Sequence, residues 1–164
     1  MSEKFSVSME SPQSGWMSLR LRAGAREFVA VVSHQPYDSL RELIEALVSL
    51  LGGARAATVR WNAEPEEYDF VLKAEGEDRV SLRVVHHQGH RREASRARAV
   101  FTCRASRVEL CLPFWRELSE MSERSETDVF EQNWRRKFPR RELRRLTDAF
   151  KTHAPEVLTP ARKS

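Results

Sequence analysis

Three clusters in this sequence carry side chains suited to chemistry. In WNAEPEEYDF, at 61–70, Glu64, Glu66 and Glu67 crowd beside Tyr68. Paired carboxylates serve general acid–base catalysis when burial or a charged partner separates their pKa values. Here Asn62, Ala63, Glu64, Pro65 and Glu66 are turn-compatible, and Pro65 cannot donate to a sheet ladder. The three glutamates are therefore expected to project from a sheet rim. Solvated neighbours do not drive pKa values apart, so a plain turn is the first reading. An acidic docking edge for a basic partner is the second, ahead of a catalytic pair.

The second cluster is VVHHQGHRRE, with His86, His87 and His90 inside five residues and Glu93 beyond them. Zinc needs three or four converging ligands. On a strand His86 and His87 point to opposite faces, so a polar strand end is favoured over a metal site, and no metal or cofactor is expected. Small environmental shifts would still make nearby binding pH-sensitive. The third is RRKFPRRELRR, where Arg140 with Arg144, and Arg141 with Arg145, are like-charge i,i+4 pairs that mildly destabilise a helix. Arg136, Arg140, Arg141, Arg144 and Arg145 are the candidate anion-binding set. A solvated or internally paired face competes with that reading, using Glu142 and Asp148 or the Glu117, Glu120, Glu123 row of an earlier helix. A protein partner and a nucleic-acid backbone are the remaining readings. Trp134 and Phe138 interleave with these charges at a spacing suited to core anchors rather than base-stacking platforms.

The elements that must position these residues follow from hydrophobic periodicity. WMSLRLR at 16–22 and EFVAVVS at 27–33 alternate with a period of two around Gly24 and predict a hairpin. Leu40, Leu43, Ile44, Leu47, Val48 and Leu51 form one helical stripe, with Ser39 and Glu42 at capping-box spacing, Asp38 as an alternative cap, and Gly52-Gly53 as the stop. Three alternating segments then carry Val59 and Trp61, Tyr68 with Phe70 and Leu72, and Val80 with Leu82 and Val84. EGED at 75–78 separates the last two, and a further strand near 98–104 follows the polar QGHRREASR. Ser106 and Glu109 repeat the capping-box spacing before Leu110, Phe114, Leu118 and Met121, and Pro113 either kinks that helix or moves its start towards Leu112. A shorter helical piece holds Val129, Phe130 and Trp134, and Pro139 opens a last helix with Leu143, Leu146 and Phe150. The order predicts an α+β fold: a mainly antiparallel sheet of about six strands, one helix after strand 2, and two or three C-terminal helices. One domain is expected over 15–153, between disordered tails at 1–14 and 154–164.

The 164 residues carry a formal charge of +4, too mild to decide for or against nucleic acid. No segment approaches the roughly 18 continuous apolar residues of a membrane span, and the N-terminus lacks a secretory core, so a cytoplasmic protein without a membrane partner is expected. Cys103 and Cys111, set among Phe101, Leu110 and Leu112, read as small buried hydrophobes. There is no G-x-S-x-G, H-E-x-x-H, P-loop or dinucleotide fingerprint.

Trp61, Glu64, Pro65, Tyr68, Phe138, Pro139 and Leu143 carry a resemblance. The chain resembles a group of small, mostly uncharacterised bacterial α+β proteins in which a W-x-x-E-P-x-E-Y hairpin follows a Leu-rich helix and an F-P-x-x-x-L-x-x-L helix closes the chain. It is similar, further, to immunity proteins of bacterial polymorphic toxin systems, over residues 16 to 151. The resemblance implies a non-enzymatic protein that binds a toxin and has no catalytic residue. Glu64, Glu66, Glu67 and Tyr68 are the candidate partner-binding set, and nucleic-acid binding through the Arg-rich helix is the alternative function.

Overall fold

Alternation of apolar and polar residues builds one antiparallel sheet whose strand order follows the chain. A computed structural model describes residues 4–159. Among them run β1 (Phe5–Met9), β2 (Trp16–Ala23), β3 (Arg26–Ser33), α1 (Ser39–Leu51), β4 (Ala56–Asn62), β5 (Glu67–Ala74), β6 (Arg79–His87), β7 (Arg98–Ser106), α2 (Arg107–Arg124), α3 (Phe130–Trp134) and α4 (Arg140–His153). The α+β class stands, with seven strands among the described residues where about six were expected.

The added strand is β1, which corrects the expected N-terminal tail. Its FSVSM buries Phe5, Val7 and Met9 and exposes Ser6 and Ser8, and it pairs with β2 from Phe5↔Ala23 to Met9↔Leu19. The serines that suggest disorder are simply the solvent face of a period-two strand. At the other end Ala154 is buried, and Pro155–Leu158 form a 3-10 turn that packs Val157 and Leu158 on the core, so the expected C-terminal tail does not begin at 154. Residues 1–3 and 160–164, the rest of both expected tails, lie outside the described residues.

The inner face of the sheet and the stripes of α1, α2 and α4 make one core. Phe114 of α2 meets Phe5 and Phe70 at ring separations of 5.7 and 6.3 Å, and Trp61 lies 5.5 Å from Phe70. The sheet is not flat. β3 and β4 pair at Ser33↔Asn62 and then diverge, while Phe28 on β3 reaches across to Tyr68 and Phe70 on β5. β3 also approaches β7, so the sheet curls over the strands between them.

The caps show where local reading succeeds. Ser106 and Glu109 form a complete capping box, and Pro113 sits inside α2 without displacing its start. At α1 the expected box does not form: Ser39 Oγ donates to Arg60 O at 2.5 Å, and Glu42 holds the Arg60 guanidinium at 2.9 Å. Both side chains tie helix to strand, since tertiary partners outcompete the local cap. Gly53, at φ +98°, supplies the left-handed stop.

Candidate functional site

The period of two along β5 puts Glu67 and Asp69 on the face opposite Tyr68, Phe70 and Leu72. Register then sets Asn62 of β4 and His87 of β6 beside Glu67, and Arg60 and Val85 beside Asp69. At this end of the sheet that second face is covered by the turn before α1, through Tyr37, and by the loop after β6, through His90 and Arg92. Glu67 is consequently fully buried, at 0% exposure.

Its carboxylate is saturated. Oε1 accepts from Tyr37 OH at 2.7 Å and from Arg92 Nη2 and Nε at 2.6 and 3.1 Å, and Oε2 accepts from His90 Nδ1. Arg92 Nη1 also reaches both oxygens of Asp69, each at 2.5 Å, and His87 Nε2 lies 3.2 Å from Asp69 Oδ2. Tyr37 contacts two cations: the Arg60 guanidinium carbon lies 4.2 Å from the ring centroid and that of Arg92 lies 5.5 Å away.

The electrostatics follow from this closure. Burial alone pushes Glu67 upward, but hydrogen bonds from Tyr37, Arg92 and His90 together hold it below the usual glutamate value, so it is ionised. Burial likewise opposes the Arg92 cation, and the contacts to Asp69 and Glu67 outweigh it and raise its pKa. Tyr37 is pushed up by burial and by its bond to Glu67. An ionised carboxylate clamped by a cation is a structural anchor. It fastens the loop after β6, which buries no residue from Gln88 to Ala97, onto the sheet.

Glu67 therefore corrects the expected rim. Glu64 and Glu66 do stay exposed, but Glu67 is buried because the Tyr37 turn and the loop after β6 cover the outer face of the sheet on which it lies. Glu66 remains at the edge with two companions. Tyr68 OH donates to Glu66 Oε2 at 3.4 Å, His86 Nε2 lies 3.2 Å from Glu66 Oε1, and the Tyr68 and His86 rings are 5.3 Å apart. Asn62 braces the turn from inside: its Nδ2 donates to Gln35 O at 2.7 Å and its Oδ1 accepts from Glu64 N at 3.1 Å. The three histidines face three different carboxylates, Glu66, Asp69 and Glu67, and no group of three or more His, Cys, Asp or Glu among the described residues is placed to hold a metal ion. Glu93 pairs with Arg96 at 3.5 Å.

The candidate anion-binding set divides. Arg136 donates to His34 O at 2.5 Å and Pro36 O at 3.3 Å, bracing the segment that carries Tyr37. Arg140 lies over the Phe138 ring and donates to Ser125 Oγ at 2.6 Å and Ser122 Oγ at 3.2 Å. Arg141, Arg144 and Arg145 are exposed. Among the described residues the alternative pairing with the earlier acidic row is not made. Glu117 accepts from Met9 N at 3.4 Å, Glu120 pairs with Arg124 at 3.8 Å, and Glu142 turns to Arg41 of α1 at 3.5 Å. Trp134 and Phe138 are buried, as their spacing suggests. Comparison with protein-family models, curated proteins and solved structures finds no match to the chain. No helix among the described residues is long and apolar enough to cross a membrane.

Proposed function

We propose that this protein is a non-enzymatic binding module of the bacterial cytoplasm that neutralises a toxin in the manner of an immunity protein. The carrying observation is the division of labour among the glutamates of one turn. Glu67 is sealed in an ion-paired anchor, while Glu64 and Glu66 stay exposed on the turn braced by Asn62. A carboxylate whose oxygens already accept from Tyr37, Arg92 and His90 is engaged in holding the fold. What the clamp presents is a preorganised edge: two exposed carboxylates beside half-buried Tyr68 and His86. Preorganisation reduces the ordering cost of association. Exposed charge steers encounter with a basic partner, and an aromatic at the edge supplies an anchor.

Co-expression with the product of the adjacent gene tests this. That product alone should arrest growth, and this protein should restore it. The Glu64→Lys/Glu66→Lys variant should remain folded, bind the toxin about tenfold more slowly, and lose the salt dependence of association. A harmless neighbour, or a lethal one that stays unbound when both folded proteins are present, refutes the reading.

A further inference from the structure

The acidic edge leaves the Arg-rich helix unused, and its arrangement is specific. α4 turns Leu143, Leu146 and Phe150 into the core, and Trp115 Nε1 donates to Thr147 Oγ1 at 2.9 Å, fixing the helix against α2. Arg141, Arg144 and Arg145 are left on the solvent side. Offsets of three and four set neighbouring Cβ atoms about 5–6 Å apart. Among the described residues no carboxylate forms an ion pair with any of the three. Glu142 and Glu45 both go to Arg41, at 3.5 and 3.1 Å, although both line the shallow groove beside Arg145. Asp148 is the acid that interrupts this face, and it too makes no ion pair with these arginines. Three like charges held close on a rigid helix are unfavourable until an anion meets them.

We propose that this face of α4 binds the phosphate backbone of a nucleic-acid duplex without reading its sequence. Guanidinium forks match phosphate oxygens bidentately. The burial of the nearby aromatics favours a duplex over a single strand. Trp134, Phe138 and Phe150 are buried, so the face offers neither the exposed aromatic anchor on which protein interfaces depend nor a stacking platform for single-stranded bases. It lies on a different element from the turn bearing Glu64 and Glu66, so a failed toxin rescue leaves duplex binding standing.

Fluorescence anisotropy with a short random-sequence DNA duplex tests it. Affinity should fall in the non-specific range, about 10⁻⁴–10⁻⁶ M. Three neutralised phosphates give a salt slope of about −2.7, or roughly 40-fold weaker binding at 200 mM than at 50 mM salt. The Arg141→Gln/Arg144→Gln/Arg145→Gln variant should keep its circular dichroism and lose binding, and each single glutamine variant should reduce the slope by about 0.9. Absence of binding at low salt, an unchanged slope in the single variants, or tighter binding to polyglutamate or to phosphatidylserine vesicles than to the duplex would overturn the assignment.

Discussion

Arg92→Ala removes the cation that closes the clamp, and its cost can be worked from the contacts. The guanidinium makes two bonds to Glu67, at 2.6 and 3.1 Å, and two to Asp69, at 2.5 Å each. The Glu67 side chain is 0% exposed and that of Asp69 13%, so water can replace little of what is lost. Removing one partner of a buried ion pair costs about 3–5 kcal/mol, chiefly because the other charge stays buried. Tyr37 and His90 still hold Glu67, and His87 still faces Asp69, which places the expected loss at the lower end, about 3 kcal/mol. With a urea m-value of about 2 kcal/mol/M, the unfolding midpoint should drop by about 1.5 M at unchanged slope. Adding Glu67→Gln removes the charge that Arg92→Ala strands, so the double variant should be more stable than the sum of the single losses by about 1–3 kcal/mol. A loss below about 1 kcal/mol, or additive single effects, would falsify the clamp.

The same carboxylate sets an acid limb. Because Glu67 titrates below its unfolded value, near 4.5, its contribution is complete above that pH and is lost as pH falls through the lower folded value. Wild-type melting temperature should fall below about pH 4.5, and Glu67→Gln should flatten that decline; parallel profiles would count against it. Arg107 is buried and donates to the carbonyls of Glu77, Leu50 and Ala54 at 2.9, 2.8 and 2.7 Å, so Arg107→Ala should cost about 2–3 kcal/mol in chemical denaturation by leaving acceptors unpaired. Ser106→Ala should lose about 1 kcal/mol through the capping box, measured in the same way. Burial pushes the thiols of Cys103 and Cys111 up to about 11 and about 12, so neither should react with a maleimide at neutral pH until denaturant is added. Rapid labelling of the native protein would contradict their burial.

Local patterns carried much of this architecture. The stripe from Leu40 to Leu51, the strand alternation at Met17–Leu21 and Val80–Val84, the Ser106–Glu109 box and the buried cysteines follow from side-chain period and short-range hydrogen bonding, which act within a few residues. FSVSM carries the same period of two, but serine-rich composition next to a terminus also suits disorder, and only pairing with β2 decides between them. Glu67 is different. The alternation of β5 shows only that Glu67 and Asp69 share a face, and an acidic face ordinarily means solvent. A usable signal was present in the Arg-rich loop following β6, because two carboxylates at i,i+2 call for a cation if they are covered.

Whether they are covered is a tertiary matter. The partners of Glu67 lie 30 residues back, at Tyr37, and 25 residues on, at Arg92. They meet it only because β4 and β6 flank β5 in one register, and because the turn before α1 and the loop after β6 fold over the same sheet end. The sequence by itself determined which residues alternate, where helices begin and which side chains are apolar, since those depend on geometry repeated from residue to residue. The tertiary structure decided which charges are buried and paired and which remain free. Desolvation depends on what other segments place above a side chain, and that is a property of closure between distant segments rather than of neighbouring residues. Hence Glu67 and Glu66, adjacent and chemically identical, became an internal anchor and an exposed edge.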